Sequence, residues 1–311
     1  MHIYVSGSLA YDRIMNFPDK FSNHILPDKI HILNVCFLVQ DLEEKFGGTA
    51  GNIAYTLSLL QEKPVLISQA GSDFQRYQDW LQKHGISLHG VRFLQDVPTA
   101  SAYITTDRAD NQITAFNPGA MSYPTNGFFQ DFQARDSLAI VSPGNLEDMQ
   151  QFPGIYRDLG LPFILDPGQN IPAFKAQQLT EMLKGSRALI VNDYELSLIQ
   201  EATGLDKPGL LELTQAVITT LGEEGSLIQE RGQEEQRVPA AQVLEPVDPT
   251  GAGDAYRAGL IKGLAQGLDL AKAARVASVS ACYAVEHKGT QEHYFTPQEF
   301  WDRYQSNFGQ L

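Results

Sequence analysis

Short apolar runs alternate with segments of helical periodicity from about residue 48 to the end of the chain. Pro64 to Ala70 has the character of a buried strand, and Asp73 to His84 that of an amphipathic helix ended by Gly85. Further apolar runs occupy Leu138 to Ser142, Phe163 to Leu165 and Ala188 to Val191. Because strands that alternate with helices form parallel sheets, the pattern predicts an α/β fold with helices on both faces of the sheet.

Both ends of the chain fit the same architecture. Met1 to Gly7 is an apolar stretch that we interpret as the first β-strand. Small residues recur at helical spacing from Ala271 to Val285, which predicts a helix packed closely against a neighbour. The whole chain, residues 1–311, is therefore expected to form a single domain.

Four strand-like segments are not separated by crossover helices. Leu9 to Phe17 and His31 to Val39 precede the first glycine cluster, whereas Ala100 to Thr106 and Gln112 to Asn117 flank a polar tip at Asp107 to Asn111. A polar tip between two such runs is typical of a hairpin. We interpret the four segments as a small β-sheet lid inserted into the main domain at about residues 9–17, 31–46 and 99–117.

The charge of the chain limits the molecules that it can bind, and its cysteine content bears on its cellular location. The chain has 37 acidic and 23 basic residues, a net charge of −14 that repels nucleic acid and anionic membranes. It contains no apolar stretch of about 20 residues and no basic, apolar leader at its start. The two cysteines, Cys36 and Cys282, are interpreted as buried thiols in a reducing compartment, so a cytoplasmic location is expected.

The segment Asp248 to Asp254 reads Asp-Pro-Thr-Gly-Ala-Gly-Asp and leads into a helical pattern. Proline ends the preceding extended chain, and glycine lets the backbone turn sharply into a helix. Such a helix start could bind a transferred phosphate through the free amides of Gly251, Ala252 and Gly253. Asp254 would lie in the first turn, where a carboxylate can accept the proton of an attacking hydroxyl. The alternative is an ordinary strand-to-helix turn with an acidic first residue.

A second glycine cluster, Gly47 to Asn52, opens another predicted helix. Gly47 and Gly48 would let a ligand approach the backbone closely, and Asn52 can both donate to and accept from sugar hydroxyls. The cluster fits neither the dinucleotide-binding nor the P-loop pattern. Taken alone, it is also compatible with an ordinary helix start.

Together the two clusters resemble the signatures of the ribokinase family, also called PfkB carbohydrate kinases. Asn192 to Glu195 is similar to that family's Asn-x-x-Glu motif, and Thr219 to Gly222 with Gly225 resembles its strand and loop beside ATP. The resemblance implies a ribokinase-like three-layer α/β/α fold with a mostly parallel central sheet and a small β lid. It also implies ATP and Mg²⁺ as cofactors, Glu195 acting on Mg²⁺ through water, and ATP contacts from Asn192, Glu195, Thr220, Gly222 and Gly225.

Further segments resemble bacterial adenosine kinases of the same family, namely Gly7-Ser8, Asp12, Phe37 to Val39, Asn117 to Ser122 and Gly289 to Gln291. This likeness implies that Asp12 binds ribose hydroxyls and that Phe116 stacks on the base. The implied substrate pocket comprises Ser8, Asp12, Gly47, Gly48, Asn52 and Phe116. One departure concerns the aromatic partner expected opposite Phe116, because Ala102 stands there with Tyr103 beside it. Either the strand register differs from that of the family, or the base is held from one side only, and the choice of adenine depends on which of the two holds.

Two features stay open at the level of sequence. Gly289 to Gln291 lies where family members carry a loop that helps hold a monovalent cation, so K⁺ is a further candidate ion; a helix cap at Gly289 explains the glycine equally well. Arg257 follows the predicted catalytic turn, and its only evident use is to pair with an anion or a carboxylate nearby.

The expected activity is ATP-dependent transfer of the γ-phosphate to the 5′-hydroxyl of a nucleoside, with adenosine as the first candidate. Alternatives within kinases are ribose, fructose, inosine and guanosine. A nucleotide-binding protein without catalysis is a second class, and a nucleic-acid-binding module is disfavoured by the charge. Unpaired edges of the lid sheet predict a homodimer formed through the lid.

Overall fold

A nine-stranded sheet runs through the computed structural model, which describes residues 1–32, 34–126, 132 and 134–311. Its spatial order is β13-β12-β11-β10-β9-β8-β1-β4-β5. Pairing is parallel from β11 to β5, and β12 and β13 extend the sheet in antiparallel fashion. The strands are β1 (His2–Ser6), β4 (Val65–Ala70), β5 (Ser87–Phe93), β8 (Ser137–Val141), β9 (Phe163–Leu165), β10 (Ala188–Asn192), β11 (Ala216–Thr220), β12 (Ser226–Glu230) and β13 (Gln236–Val238).

Helices cover both faces of this sheet because successive strand residues point to opposite sides. Ile3 and Ile140 face one helical layer, whereas Tyr4 and Val141 face the other. The first layer contains α1 (Thr49–Leu59), α2 (Gln75–Lys83), α7 (Ala252–Ala265) and α8 (Leu270–Val285). The second contains α3 (Leu146–Leu159), α4 (Ala176–Leu183), α5 (Asp193–Thr203) and α6 (Lys207–Leu211). The predicted three-layer α/β/α fold is confirmed.

The predicted small-residue helix is α8, which packs on α7 through fully buried Ala273, Ala274 and Ala277. A further helix, α9 (Pro297–Phe308), covers the other side of α8 with the rings of Phe300 and Tyr304. Within the described ranges, none of the helices combines the length and the apolar character that crossing a membrane requires.

A separate four-stranded sheet, the small sheet, has the order β3-β2-β6-β7. Its strands are β2 (Ala10–Asn16), β3 (Gln40–Gly47), β6 (Ala100–Thr106) and β7 (Gln112–Asn117). The predicted strands at Leu9 to Phe17, Ala100 to Thr106 and Gln112 to Asn117 are therefore confirmed. Asp107 holds the hairpin tip, since its Oδ1 accepts from the amides of Ala109 at 2.8 Å and Asn111 at 2.9 Å.

The predicted strand at His31 to Val39 is wrong. A 3₁₀ helix occupies Pro27–Ile32, and the ladder with β2 begins only at Gln40. Side-chain exposure does alternate from residue 34 to 39, but β2 ends at Asn16 and offers no further partner to this extended chain. The same alternation exposes Cys36, which corrects the expectation of a buried thiol, whereas Cys282 is buried. Leu33, inside the predicted lid segment 31–46, lies outside the described residues.

The strand order reverses at β1, and this reversal positions the site. From β1 the chain proceeds to β4 and β5 on one side of it, then returns to β8 on the other side. Connections that leave in opposite directions open a crevice at the carboxyl ends of the two strands where the order reverses. The crevice therefore lies beside the residues that follow β1 and β8.

Candidate active site

A cleft of about 400 Å³ lies at the carboxyl ends of β1, β8 and β9, between the small sheet and the start of α7. The predicted residues that line this cleft are Ser8, Asp12, Gly48, Asn52, Phe116, Gly251 and Asp254. Segments more than 200 residues apart in sequence thus meet at one site, as the contact between Asn52 and Asp254 illustrates.

Gly47 adjoins the cleft at the end of β3. A Cβ atom at this position would lie 2.4 Å from Oδ2 of Asp12, so the close approach of this carboxylate requires glycine. On the next residue, the carbonyl of Gly48 accepts the amide of Asn52 at 2.9 Å. The glycine cluster therefore brings the start of α1 against the strand that carries Asp12.

Helix α7 begins at Ala252, after Gly251 in the left-handed region with φ of 81°. One expectation needs correction, because the amide of Ala252 donates to the carbonyl of Pro249 at 3.1 Å and is not free. The tight turn from Pro249 into the helix accounts for this bond. The amides of Gly251 and Gly253 remain the predicted contacts for phosphate.

Asp254 lies in the first turn of α7 and faces the cleft. Burial raises the pKa of its carboxyl group, while the charge of Arg257 and a hydrogen bond from Asn52 lower it. Asn52 Nδ2 donates to Asp254 Oδ2 at 2.8 Å. A proton acceptor has to be ionised before it can act, so these two contacts favour the form that a base needs.

Asp12 and Phe116 lie on the same face of the small sheet. Asp12 pairs with Ala102, and Ala102 pairs directly with Phe116 on β7, so the three side chains form one row across three strands. Tyr103 faces the opposite side, where its hydroxyl accepts from Arg13 at 2.7 Å. The register therefore puts alanine opposite Phe116 on the cleft face, and Phe116 itself is 51% exposed.

Asp12 lines the cleft and is partly buried. Burial raises the pKa of its carboxyl group to about 6. Charged carboxylates lose hydration free energy on burial, so the group binds a proton more readily than it would in water. Its charge in the ligand-free protein therefore changes close to neutral pH.

Arg257 forms a buried ion pair with Asp166, the residue after β9. Arg257 Nη2 donates to Asp166 Oδ1 at 2.7 Å, and its Nε contacts Oδ2. The two residues are only 8% and 1% exposed, and the carboxylate raises the pKa of the guanidinium above its ordinary value. A Cβ atom on Gly253 would lie 2.7 Å from Arg257 Nη1, so the guanidinium supports the turn beneath the predicted phosphate site. Sequence alone did not identify Asp166 as the partner.

The residues predicted to contact ATP lie at the carboxyl ends of β10 and β11. Asn192 and Thr220 pair in this register, and Leu221 N donates to Gly225 O at 2.8 Å to close the following turn, which contains Gly222. Asn192 and Glu195 cap α5 reciprocally, with bonds of 2.7 and 2.8 Å. None of these residues lines the cleft, so the structure groups them at the same sheet edge but outside the pocket that holds Asp254.

The cleft is also lined by residues that the sequence did not single out individually, although Thr49, Thr250 and Thr290 fall within its predicted functional segments. Pro143 and Gly144 follow β8, Gln169 and Asn170 follow β9, and the remaining side chains come from Ala10, Thr49, Met121, Thr250 and Thr290. Positions after β8 and β9 could have been found from the rule that ligands bind at the carboxyl ends of parallel strands. Among the described residues, no group of three histidine, cysteine or acidic side chains could hold a metal ion.

Known proteins similar to this chain in sequence and structure include nucleoside kinases. The chain is 30% identical over 307 residues to a nucleoside kinase of Methanothermobacter thermautotrophicus, covering 97% of this chain and 95% of that protein. It also resembles the structure of Burkholderia thailandensis nucleoside kinase in complex with inosine, with 38% identity, a TM-score of 0.87, and coverage of 99% and 98%. The same kinase in complex with ADP-inosine gives 39% identity and a TM-score of 0.85, with coverage of 99% and 96%.

The fold, the cleft and these similarities define the class of protein. The chain is a phosphotransferase that acts on a hydroxyl acceptor. It belongs to the pfkB family of carbohydrate kinases, whose sequence model matches residues 12–297.

The buried pair makes stability depend on Arg257. Arg257→Met leaves the carboxylate of Asp166 buried without its cation, and we expect the free energy of unfolding to fall by about 3–5 kcal/mol. Urea denaturation measures this change. Arg237→Met is the matched control, because its pair with Glu224 is exposed and should contribute less than about 1 kcal/mol. Equal losses in the two variants would contradict a special role for the buried pair.

Proposed function

We propose that this protein is an ATP-dependent nucleoside kinase that transfers the γ-phosphate to the 5′-hydroxyl of a purine nucleoside. The observation that carries the proposal is the joint presence of Asp12, Phe116 and Asp254 in one cleft. A carboxylate accepts hydrogen bonds from vicinal ribose hydroxyls, and an aromatic face suits a purine. The nucleoside kinase relatives, one of them a structure with inosine, support a nucleoside over a free sugar.

The pairing of Ala102 with Phe116 bears on the choice of base. Alanine offers no second ring on that face, so stacking from the small sheet comes from Phe116 alone. Stacking on a ring contacts the flat face of a purine, and adenine and hypoxanthine share that face. We therefore propose adenosine and inosine as acceptors of the same site, with adenosine as the first candidate.

In the proposed mechanism Asp254 accepts the proton of the 5′-hydroxyl as this oxygen attacks the phosphate. The amides of Gly251 and Gly253 and the positive end of the α7 dipole would stabilise the charge on the transferred group. Asp12 would orient the sugar by accepting from its hydroxyls. Arg257 remains bound to Asp166 and keeps the glycine turn in position.

ATP as the donor is supported by the ADP-inosine complex of the Burkholderia thailandensis relative. Mg²⁺ would neutralise phosphate charge, and the structure offers a compatible residue. Glu195 lies close enough to Arg257 to raise its pKa, although one of its oxygens accepts the amide of Asn192. A carboxylate so engaged fits contact through water, because Mg²⁺ usually retains several of its waters. K⁺ beside Gly289 to Gln291 stays a prediction.

A substrate screen tests the proposal directly. ATP consumption with Mg²⁺ is measured for adenosine, inosine, guanosine, ribose and fructose, with Asp254→Asn as the blank. We expect turnover with adenosine and inosine, and a loss of roughly a hundredfold or more in Asp254→Asn with little change in nucleoside binding. Preference for a free sugar would exclude the nucleoside pocket. Normal turnover in Asp254→Asn would exclude this residue as the base.

The raised pKa of Asp12 predicts a pH dependence of nucleoside binding. Below about pH 6 the carboxyl group becomes protonated and loses acceptor capacity, so affinity should fall as the pH falls through that value. Titration calorimetry between about pH 5 and about pH 8 measures the dissociation constant. Asp12→Asn cannot titrate and should bind weakly and evenly across this range. An unchanged wild-type affinity at about pH 5 would contradict the role of Asp12.

We also propose a homodimer formed through the small sheet. Strand β7 is an edge strand and is exposed along its whole length. Exposed edges invite pairing with a second copy. Light scattering at micromolar concentration should give twice the chain mass, and Ile113→Lys on β7 should give the monomer mass. A monomeric wild-type protein would exclude the dimer.

A further inference from the structure

A buried chain of hydrogen bonds leads from α2 to the proposed base. Trp80 Nε1 donates to Gln291 Oε1 at 3.0 Å, and Gln291 Nε2 donates to Asn52 Oδ1 at 3.0 Å. Asn52 Nδ2 then donates to Asp254 Oδ2 at 2.8 Å. Gln291 is 3% exposed and Asn52 is 5% exposed, so water does not compete freely for these groups.

The direction of every bond in this chain is fixed by its two ends. The indole of Trp80 can only donate, so it requires the amide oxygen of Gln291 and turns the amide nitrogen towards Asn52. Asn52 then presents its own oxygen to Gln291 and its nitrogen to the carboxylate. An ionised carboxylate only accepts, which matches the last donor in the chain.

We propose that Gln291 is a positioning residue for catalysis: by holding the amide oxygen of Asn52, it keeps the amide nitrogen of Asn52 on the carboxylate of Asp254. This inference rests on the proposed role of Asp254 as the base. Asn52 touches Asp254 directly, whereas Gln291 acts only through Asn52.

The arrangement also restricts what Asn52 can offer a substrate. Its oxygen is occupied by Gln291, and one N–H is bound to Asp254, so the second N–H is what remains for the cleft. A donor there suits a hydroxyl oxygen that accepts one hydrogen bond while its own proton goes to a carboxylate. Gln291 thereby selects the orientation of Asn52 that suits an acceptor alcohol.

A second branch connects Gln291 to the small sheet. Its Nε2 also contacts the hydroxyl of Tyr77, which donates to the carbonyl of Gly47 at 2.9 Å. The neighbouring Thr290 donates to the carbonyl of Phe46 at 2.9 Å. The last residues of β3 and the proposed base are therefore tied to the same short loop after α8.

Other charged or titratable groups that face Asp254 come from several elements. They are Asp12 on β2, Tyr77 on α2, Arg257 on α7 itself and Asp166 after β9. Arg257 lowers the pKa of Asp254, and Asp12 raises it. A variant at Gln291 keeps these four groups but also removes the contact of its amide with the Tyr77 hydroxyl. A change in the titration of Asp254 therefore reports on Asn52 when Trp80→Phe, which removes only the donor to the Gln291 oxygen, changes it in the same direction.

The test is the pH profile of turnover in Gln291→Met, a replacement of similar length without the amide. With Asn52 free to rotate, Asp254 loses a hydrogen bond that stabilises its charged form, so its pKa rises. We expect the acidic limb of the kcat profile to move up by about one pH unit, and kcat at neutral pH to fall about tenfold. The KM for ATP should stay within about twofold of the wild-type value.

Two further variants separate positioning from general destabilisation. Trp80→Phe keeps an aromatic ring but removes the donor that orients Gln291. It should move the acidic limb of the kcat profile to higher pH, by a smaller amount than Gln291→Met. Gln69→Met is the matched control, because Gln69 is a buried glutamine that donates to Asp148, and neither residue lines the cleft. Gln69→Met should lower the denaturation midpoint without moving the acidic limb of the kcat profile.

The outcomes distinguish this inference from the proposed function. An unshifted acidic limb in a folded Gln291→Met protein, together with the expected loss in Asp254→Asn, would overturn the role of Gln291 alone. If Gln291→Met does not fold, an unshifted limb in Trp80→Phe has the same meaning. Normal turnover in Asp254→Asn would instead remove the proposed base, and the positioning role with it.

Discussion

The cleft is organised around the carboxylate of Asp254, whose charged form is disfavoured by desolvation and favoured by two neighbouring groups. Burial raises the pKa of Asp254, and the guanidinium of Arg257 together with the amide of Asn52 reduces that rise without cancelling it. Arg257 in turn is buried, and an unpaired cation in such a position would be costly. Asp166 provides its counter-charge, so the two carboxylates and the guanidinium between them depend on one another.

The small sheet contributes the other side of the cleft through the alternation of its strands. Asp12 and Phe116 point inward, whereas Arg13 and Tyr103, next to Asp12 and Ala102, form a polar contact on the outer face. A shift of one residue in either register would exchange these faces. Which side chains face the cleft therefore depends on strand pairing as much as on the sequence of each strand.

The short loop after α8 adds polar contacts between elements that already pack in one hydrophobic core, among them α1, α2 and α7. The amide nitrogen of Gln291 donates to Asn52 and thereby orients its side chain. The same nitrogen contacts the hydroxyl of Tyr77, which is bound to the carbonyl of Gly47 at the end of β3. The chain begins at the indole of Trp80, which can only donate, and ends at the carboxylate of Asp254, which only accepts when ionised. The amides of Gln291 and Asn52 between them can therefore satisfy all three bonds in one orientation each.

The sequence by itself determined the α/β layering, because a helical or a strand period is a local property, and it also revealed the glycine turns and Asp254. The strand at His31 to Val39 was wrong because alternation shows an extended chain but not whether a partner strand is present. Only the tertiary structure decided that Asp166 pairs with Arg257, that Ala102 faces Phe116, and that Gln291 reaches Asn52. Arg257 and Asp166, like Gln291 and Asn52, are far apart in the chain and meet only after the elements pack, whereas the pairing of Ala102 with Phe116 depends on the register of one hairpin.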